Sequence, residues 1–386
     1  VAILQGYDRF GGLHWETGSF GNALAYLGIS APHTGQPFSE AMLLGLGRGI
    51  GCMYFAFDYA GHEPYFFFNT RQTRVGGDAT ADLCRRLGVE ARFLQTGERS
   101  EAMAFLAESL QEGLPVLVWA DRVRLPWGWA PTPSGPWMAP ILVYGLAEDG
   151  TVRVADRARV PLTCTVDDLA AAWGAQPNRV HKAVALLPAQ AHPDLRAAVR
   201  DAVATCVEGF AGGPSAGFGL PALGHWAEML TQRDAARGWP SLFATDRLLF
   251  ANLIRAYMYI ELEGTGGGAC RPLYADFLDE AGDLLDLAEM HTAARRFRDC
   301  GALWGHLAKE FLPEQFRRTR EVLHQREARF RAGGLPGLEE TRRLAEYTDQ
   351  AEIPAPASFL AGLRRGLLEV QAAEQAAVAA LAAIGI

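Results

Sequence analysis

The run His14-Trp15-Glu16-Thr17-Gly18-Ser19 puts an imidazole and a carboxylate two residues apart, directly before a stretch in which Phe20, Ala23, Leu24 and Leu27 recur at helical spacing. The polar cluster Thr17-Gly18-Ser19 predicts a capped, buried helix. A helix N-terminus offers unpaired N–H groups and a positive dipole end, which lower a thiol pKa and stabilise an oxyanion. Cysteine acyl enzymes keep their nucleophile in that setting, and here the run holds no thiol. His14 and Glu16 remain for acid-base or electrostatic work.

Three further strings carry candidate chemistry. Gly45-Leu46-Gly47-Arg48-Gly49-Ile50-Gly51 follows a predicted helix rather than a strand and lacks a Lys-Ser/Thr pair, so neither a dinucleotide fingerprint nor a P-loop fits. It reads as a glycine-rich turn beside the site, with Arg48 available to a phosphate of a carrier arm. Cys52, just beyond, is either a relocated thiol or inert packing. In Glu261-Leu262-Glu263-Gly264-Thr265-Gly266-Gly267-Gly268 the glycines break one helix and open the next, where Arg271 and free amides would hold a carboxylate or phosphate, with Thr265 and Tyr274 in support. The plainer reading is a tight interhelical corner with Glu261 paired to Arg271. Asp276, Glu280, Asp283, Asp286, Glu289 and His291 fall at helical spacing, as on a solvated face. Facing Glu-x-x-His motifs are absent, and His33, His62, His181, His192, His225 and His306 form no HxxxH or HxH pair, so no metal and no cofactor are expected.

The opening run, followed by Asn22-Ala23-Leu24-Ala25-Tyr26-Leu27-Gly28-Ile29 and Ser39-Glu40-Ala41-Met42-Leu43-Leu44-Gly45-Leu46-Gly47, resembles the start of the family named for the butirosin biosynthesis acyltransferase BtrH. Members read His-Cys-Glu there, and Trp15 stands at the Cys position. The likeness continues through Pro115-Val116-Leu117-Val118-Trp119-Ala120-Asp121, Leu125-Pro126-Trp127, Ile141-Leu142-Val143-Tyr144-Gly145 and Val152-Arg153-Val154-Ala155-Asp156. Counting back from Gly145 puts Ala139 at the position of the family's catalytic His, while Asp156 is retained. The glycine corner, with Arg271, Tyr274 and Phe277-Leu278-Asp279-Glu280-Ala281, is similar to the uncharacterised helical domain that commonly follows.

The resemblance implies a papain-like fold in which a thiolate attacks a carrier-bound thioester, a His moves protons and a third group orients the His. Two of these roles are empty here, so ordinary ping-pong acyl transfer is not expected. The leading expectation is a biosynthetic enzyme of specialised metabolism that promotes non-covalent cyclisation, condensation or acyl transfer of an acyl, aminoacyl or polyketide-derived intermediate. His14, Glu16 and Asp156 would form its polar apparatus; Trp15, Trp119, Trp127, Trp137 and Ala139 would line its pocket, with Arg48, Asp121 and Tyr144 beside them. The alternative is an inactive scaffold that binds a carrier protein or partner enzyme. A third reading, chemistry through Cys52 or Cys164, requires either thiol to approach a base.

The elements that must position these groups differ between the halves. Strand signals lie at Tyr54-Phe57, Tyr65-Phe68, Ala91-Leu94, Val116-Trp119, Ile141-Gly145, Val152-Ala155 and Val180-Leu186, with helices after Ser39 and near Ala79-Leu87, Glu101-Glu112 and Val166-Trp173. Beyond Pro188 the periodicity is helical. The expected organisation is α+β: a papain-like cysteine-protease/acyltransferase fold over 1–188, then an all-α domain over 189–386, with the boundary near 187–193. A long apolar stripe from Ala357 to Ile384 suits a docking or dimerising helix, so a homodimer through the helical domain is an expectation.

At 386 residues the chain suits two domains. With 49% apolar and 21% charged residues it is ordinary globular material, and the Arg-rich, Lys-poor balance suggests a GC-rich bacterial genome. A net charge of -8, spread along the chain, argues against a nucleic-acid partner or an anionic-membrane surface. The six cysteines form no CxxC pair, apolar runs are too short for a membrane span, and no basic segment precedes an apolar one near Val1. A reduced cytoplasmic setting is expected, with a small-molecule or carrier-protein-tethered acyl substrate.

Overall fold

The computed structural model describes residues 2–71, 78–131, 137–175, 180–188 and 194–385. Most of the expected boundary segment, and His192 with it, lies outside the described residues. The first half contains β1 (Ala2–Ile3), α1 (Trp15–Tyr26), α2 (Glu40–Leu46), β2 (Ile50–Phe57), β3 (Tyr65–Arg71), α3 (Ala79–Leu87), β4 (Ala91–Thr96), α4 (Arg99–Gln111), β5 (Val116–Asp121), β6 (Met138–Leu146), β7 (Thr151–Ala155), β8 (Leu162–Thr165), α5 (Val166–Trp173) and β9 (His181–Leu186). The second is helical: α6 (Leu195–Phe210), α7 (Leu220–Met229), α8 (Trp239–Leu242), α9 (Asp246–Tyr257), α10 (Arg271–Leu285), α11 (Ala288–Phe311), α12 (Arg317–Gly333), α13 (Leu338–Asp349) and α14 (Pro356–Ala382).

Strands β4-β9-β5-β6-β7-β8 form one antiparallel sheet, and β1 adds to the far end of β6. The centre of the sheet is apolar on both faces: Val116 to Val118 and Ile141 to Val143 are fully buried. Helix α1 packs on β6, which brings its N-terminus beside the first residues of that strand. The structure is therefore α+β, with helices gathered in the second half.

The remaining hairpin, β2 with β3, lies outside that sheet, bridges from Met53 to Phe218 and packs among helices of the second half. Tyr54 stacks on Trp226 with centroids 5.5 Å apart, its hydroxyl accepts a hydrogen bond from Trp239 at 3.0 Å, and Phe68 lies between Trp226 and Trp304. Helix α2 joins the same interface. Gly45 has no side chain because the Phe277 ring of α10 occupies that space, 2.3 Å from where a Cβ would stand. Ser39 and His33 both reach Glu280 of α10.

A buried ion pair fastens this junction. Arg271, at the start of α10, is completely buried; its Nε donates to Glu374 of α14 at 2.5 Å, while its other nitrogens reach the carbonyls of Gly51 and Ala269 and the Cys52 sulfur. Trp304 donates to the same carboxylate at 2.8 Å. The expected Glu261–Arg271 pairing is thus replaced: the anion that Arg271 holds is the chain's own Glu374. The apolar stripe of α14, including Leu363, Leu367 and Val370, is buried on α11 and α7 of its own chain.

Removing one partner of a buried, hydrogen-bonded pair leaves an uncompensated charge, which costs about 3–5 kcal/mol. Glu374→Ala should lower the unfolding free energy by about that amount, measured by chemical denaturation. Combining Glu374→Leu with Arg271→Met should cost much less, because no charge is then stranded.

Candidate functional site

His14 is the N-cap of α1, with extended backbone at φ -106° and ψ 141°. Its Nδ1 accepts hydrogen bonds from the Glu16 and Thr17 amides at 3.2 and 3.3 Å, so the proton of the neutral ring is assigned to Nε2. Burial, then Arg71 and Arg157, push its pKa well below the ordinary 6.5. The imidazole is neutral, and its basic nitrogen is engaged by the helix. Glu40 of α2 steadies the same segment, accepting from the Leu13 and His14 amides at 2.8 and 3.0 Å.

Trp15 is the first residue of α1. Its ring lies under Gly264, where a Cβ would come within 2.8 Å of the indole and where φ is +73°. The Arg122 and Arg157 guanidiniums stand 5.3 and 5.7 Å from the ring centroid, and both also face Phe330. Carboxylates compensate them: Arg122 meets Asp156 at 3.3 Å and Glu263 at 3.0 Å, and Arg157 meets Glu327 at 2.5 Å. Asp156 is fully buried and also accepts from the Trp127 indole at 3.1 Å. The corner after Glu261 therefore forms one wall around residue 15.

On another side of Trp15 a cleft of about 240 Å³ stays open between the N-terminus of α1 and the start of β6. Ala139, 1% exposed, lies opposite, with Trp119, Met138 and Pro140 as apolar wall. Four charged groups, together with Thr80, Asn69 and the neutral His14 ring, supply the polar lining. Glu16 bonds Thr80 at 2.8 Å and Arg71 at 3.3 Å. Lys182 of β9 pairs with Asp78 at 2.7 Å and stands 4.1 Å over the Trp119 ring. Burial would raise the Asp78 pKa, but Lys182 and the amides of Thr80 and Ala81 outweigh it and hold the carboxyl below its ordinary range.

His14, Trp15, Glu16, Trp119 and Ala139 thus share the cleft, and the other sequence candidates lie elsewhere. Arg48 pairs with Asp82. Asp121 accepts from the Trp137 amide at 2.9 Å, and Trp137 packs against Tyr259 and Arg255. Tyr144 stacks on Tyr7 at 4.4 Å, and Trp127 belongs to the Arg122 cluster. Glu261 and Thr265 bond within their own corner, and Tyr274 is buried beside Gly49 and Cys206. Asp276 and Asp279 pair with Arg298, and Asp279 and Asp283 with His291.

All six thiols are free and buried. Burial pushes Cys52, Cys84, Cys164 and Cys300 up to about 12, and Cys206 and Cys270 also upward. Among the described residues no cysteine lines the cleft. Arg71, Asp78, Thr80 and Lys182 are cleft residues that sequence reasoning missed. They come from β3, α3 and β9, and the one signal was Asp78 preceding a helical run as an N-cap.

Residues 14–157 match the family described as butirosin biosynthesis protein H, N-terminal, and residues 168–343 match a domain of unknown function, DUF4872. No curated protein matches the chain.

Two outcomes test this geometry. Gly264→Ala adds a methyl against the indole at a positive φ and should cost about 1–3 kcal/mol; in a Trp15→Cys background the cost should be smaller, measurable as coupling in a double-mutant cycle. His14 has a folded pKa below its unfolded value, so the unfolded state takes up the proton first as pH falls. Stability from this residue is complete above about 6.5 and declines below it, by at most about 1.4 kcal/mol per pH unit. His14→Asn, which keeps a capping side chain, should show a shallower loss of Tm between pH 7 and pH 5.

Proposed function

We propose that this chain, which carries the butirosin biosynthesis protein H N-terminal domain followed by DUF4872, binds an acyl or aminoacyl intermediate of specialised metabolism without forming an acyl-enzyme, and promotes its cyclisation, condensation or direct transfer. The observation that carries this reading is an open, polar cleft at the N-terminus of α1, reached by no cysteine among the described residues and facing Ala139 instead of a base. A helix N-terminus set against a strand bearing position 139, with the next strand leading to Asp156, supports a papain-like arrangement.

The volume bears on the ligand. Pockets for drug-sized molecules span about 300–1,000 Å³, so a cleft of about 240 Å³ suits the reacting head of a substrate rather than a whole carrier arm. Of the three candidate polar groups, His14 is a neutral cap and Asp156 is buried against Arg122. Glu16 is the one left at the cleft, 15% exposed and oriented by Arg71 and Thr80. It is the group we assign to proton transfer or electrostatic stabilisation. Free buried thiols support a reducing, cytoplasmic setting. No helix among the described residues is long and apolar enough to cross a membrane.

A second reading is favoured by one specific observation: Trp15, Arg122 and Asp156 now form a packed structural cluster at two of the three inherited catalytic positions. A scaffold that binds a carrier protein or partner enzyme would look the same there.

Incubation with acyl-carrier and amine substrates, followed by intact-mass and product analysis, separates the two. The enzyme reading expects product without a covalent adduct, and a loss of about 10²-fold or more in Glu16→Gln. Carrier binding without turnover, with adducts appearing only when Trp15→Cys and Ala139→His are combined, would establish the scaffold.

A further inference from the structure

Two residues at the cleft carry buried donors that their surroundings leave unsatisfied. Among the described residues, the Trp15 indole N–H and the Arg71 Nε–H are buried without a hydrogen-bond partner, and both residues line the cleft. Arg71 is 6% exposed and rigidly placed, because its terminal nitrogens donate to the carbonyls of Leu44, Gly47 and Gly49. A buried donor left without an acceptor is costly, and such groups call for an explanation. Local acceptors are already committed. Glu16 receives Thr80 and Arg71, while Asp78 receives Lys182 and the Thr80 amide.

Lys182 adds to the surplus. It and Lys309 are the only lysines in an Arg-rich chain. The Lys182 side chain carries three donors and is 27% exposed, with Asp78 as an ion-pair partner 2.7 Å away. Trp119 beneath it fixes where the charge sits.

Resting on the reading of the cleft as a ligand site, we propose that it recognises the carboxylate of a small organic acid, with Trp15 Nε1–H, Arg71 Nε–H and the Lys182 ammonium as donors. Two of these donors are cationic and, although Glu16 and Asp78 balance their charge, hydrogen bonds from cationic donors to an ionised acceptor are stronger than to a neutral carbonyl. Trp119, Met138 and Pro140 give the organic part of such an acid an apolar wall. The substrate would then present a free carboxylate to this cleft, as its own reacting group or as a handle beside it.

The test uses the full chain with 15N-labelled tryptophan, its Trp15 indole resonance assigned by its loss in Trp15→Phe. The probes are phenylacetate, phenylacetamide, inorganic phosphate and the N-acetylcysteamine thioester of phenylacetic acid. Phenylacetate should shift that resonance saturably, with affinity about tenfold weaker for the amide, for Lys182→Gln and for Trp15→Phe followed by calorimetry. Lys182→Gln should melt like wild type, since the side chain is partly exposed. Equal binding of acid and amide, or preference for phosphate, would overturn the carboxylate assignment. Binding of the thioester alone would also overturn it while leaving the proposed function standing. No response to any probe would remove the support for both.

Discussion

An indole occupies the first turn of α1, and everything around it is arranged to hold it there. Trp15 needs a surface without a side chain on one side, which Gly264 supplies, and cationic neighbours over its ring, which Arg122 and Arg157 supply. Those two guanidiniums would be costly to bury alone. Asp156, Glu263 and Glu327 compensate them, and Glu263 comes from the same corner as Gly264. Residue 15 thus ties the sheet to the helical half through aromatic, ionic and backbone contacts together.

The amides of α1 tell a related story. In a cysteine acyl enzyme such amides would serve a thiolate or an oxyanion. Here the His14 ring takes the Glu16 and Thr17 amides, and Glu40 takes those just before them. The polar cleft lies alongside this capped end, and only Glu16 among its charges belongs to α1; the others come from Arg71 at the end of β3, Asp78 at the cap of α3 and Lys182 at the start of β9.

Local signals in the sequence located most elements. Helices α3 and α5 lie where the spacing put them, because Asp78 and Thr165 cap them and Gly88 and Gly174 end them. Strand β6 begins three residues before its predicted start because Pro140 reads as a strand breaker, yet its ladder with β5 runs on through the Trp119–Pro140 pair. Strands β1 and β8 were too short to stand out. Positions 15, 139 and 156 were singled out from motif alone; the structure sets 15 and 139 at the cleft and buries 156 against Arg122. What was not legible was long-range partnership: that Arg271 would meet Glu374 rather than Glu261, that Arg48 would turn to Asp82, and that Lys182 would reach Asp78. Such pairings are set by topology, which side-chain type and spacing do not encode.

Strand β9 belongs by sequence to the region matched from residue 168, yet it sits between β4 and β5, inside the sheet of the region that precedes it. A chain cut between the two matched regions would leave β4 and β5 facing an unfilled slot, two bare ladders in the middle of a sheet. Neither fragment would close its own hydrogen-bonding, and each would expose an apolar strand able to recruit other chains. Lys182 rides on that strand, so the upstream fragment would also lack the cation that reaches Asp78. The two families of segment are, in this molecule, a single unit of synthesis and folding: the pocket is finished only after the ribosome has moved past the residues that appear, from motif alone, to define it.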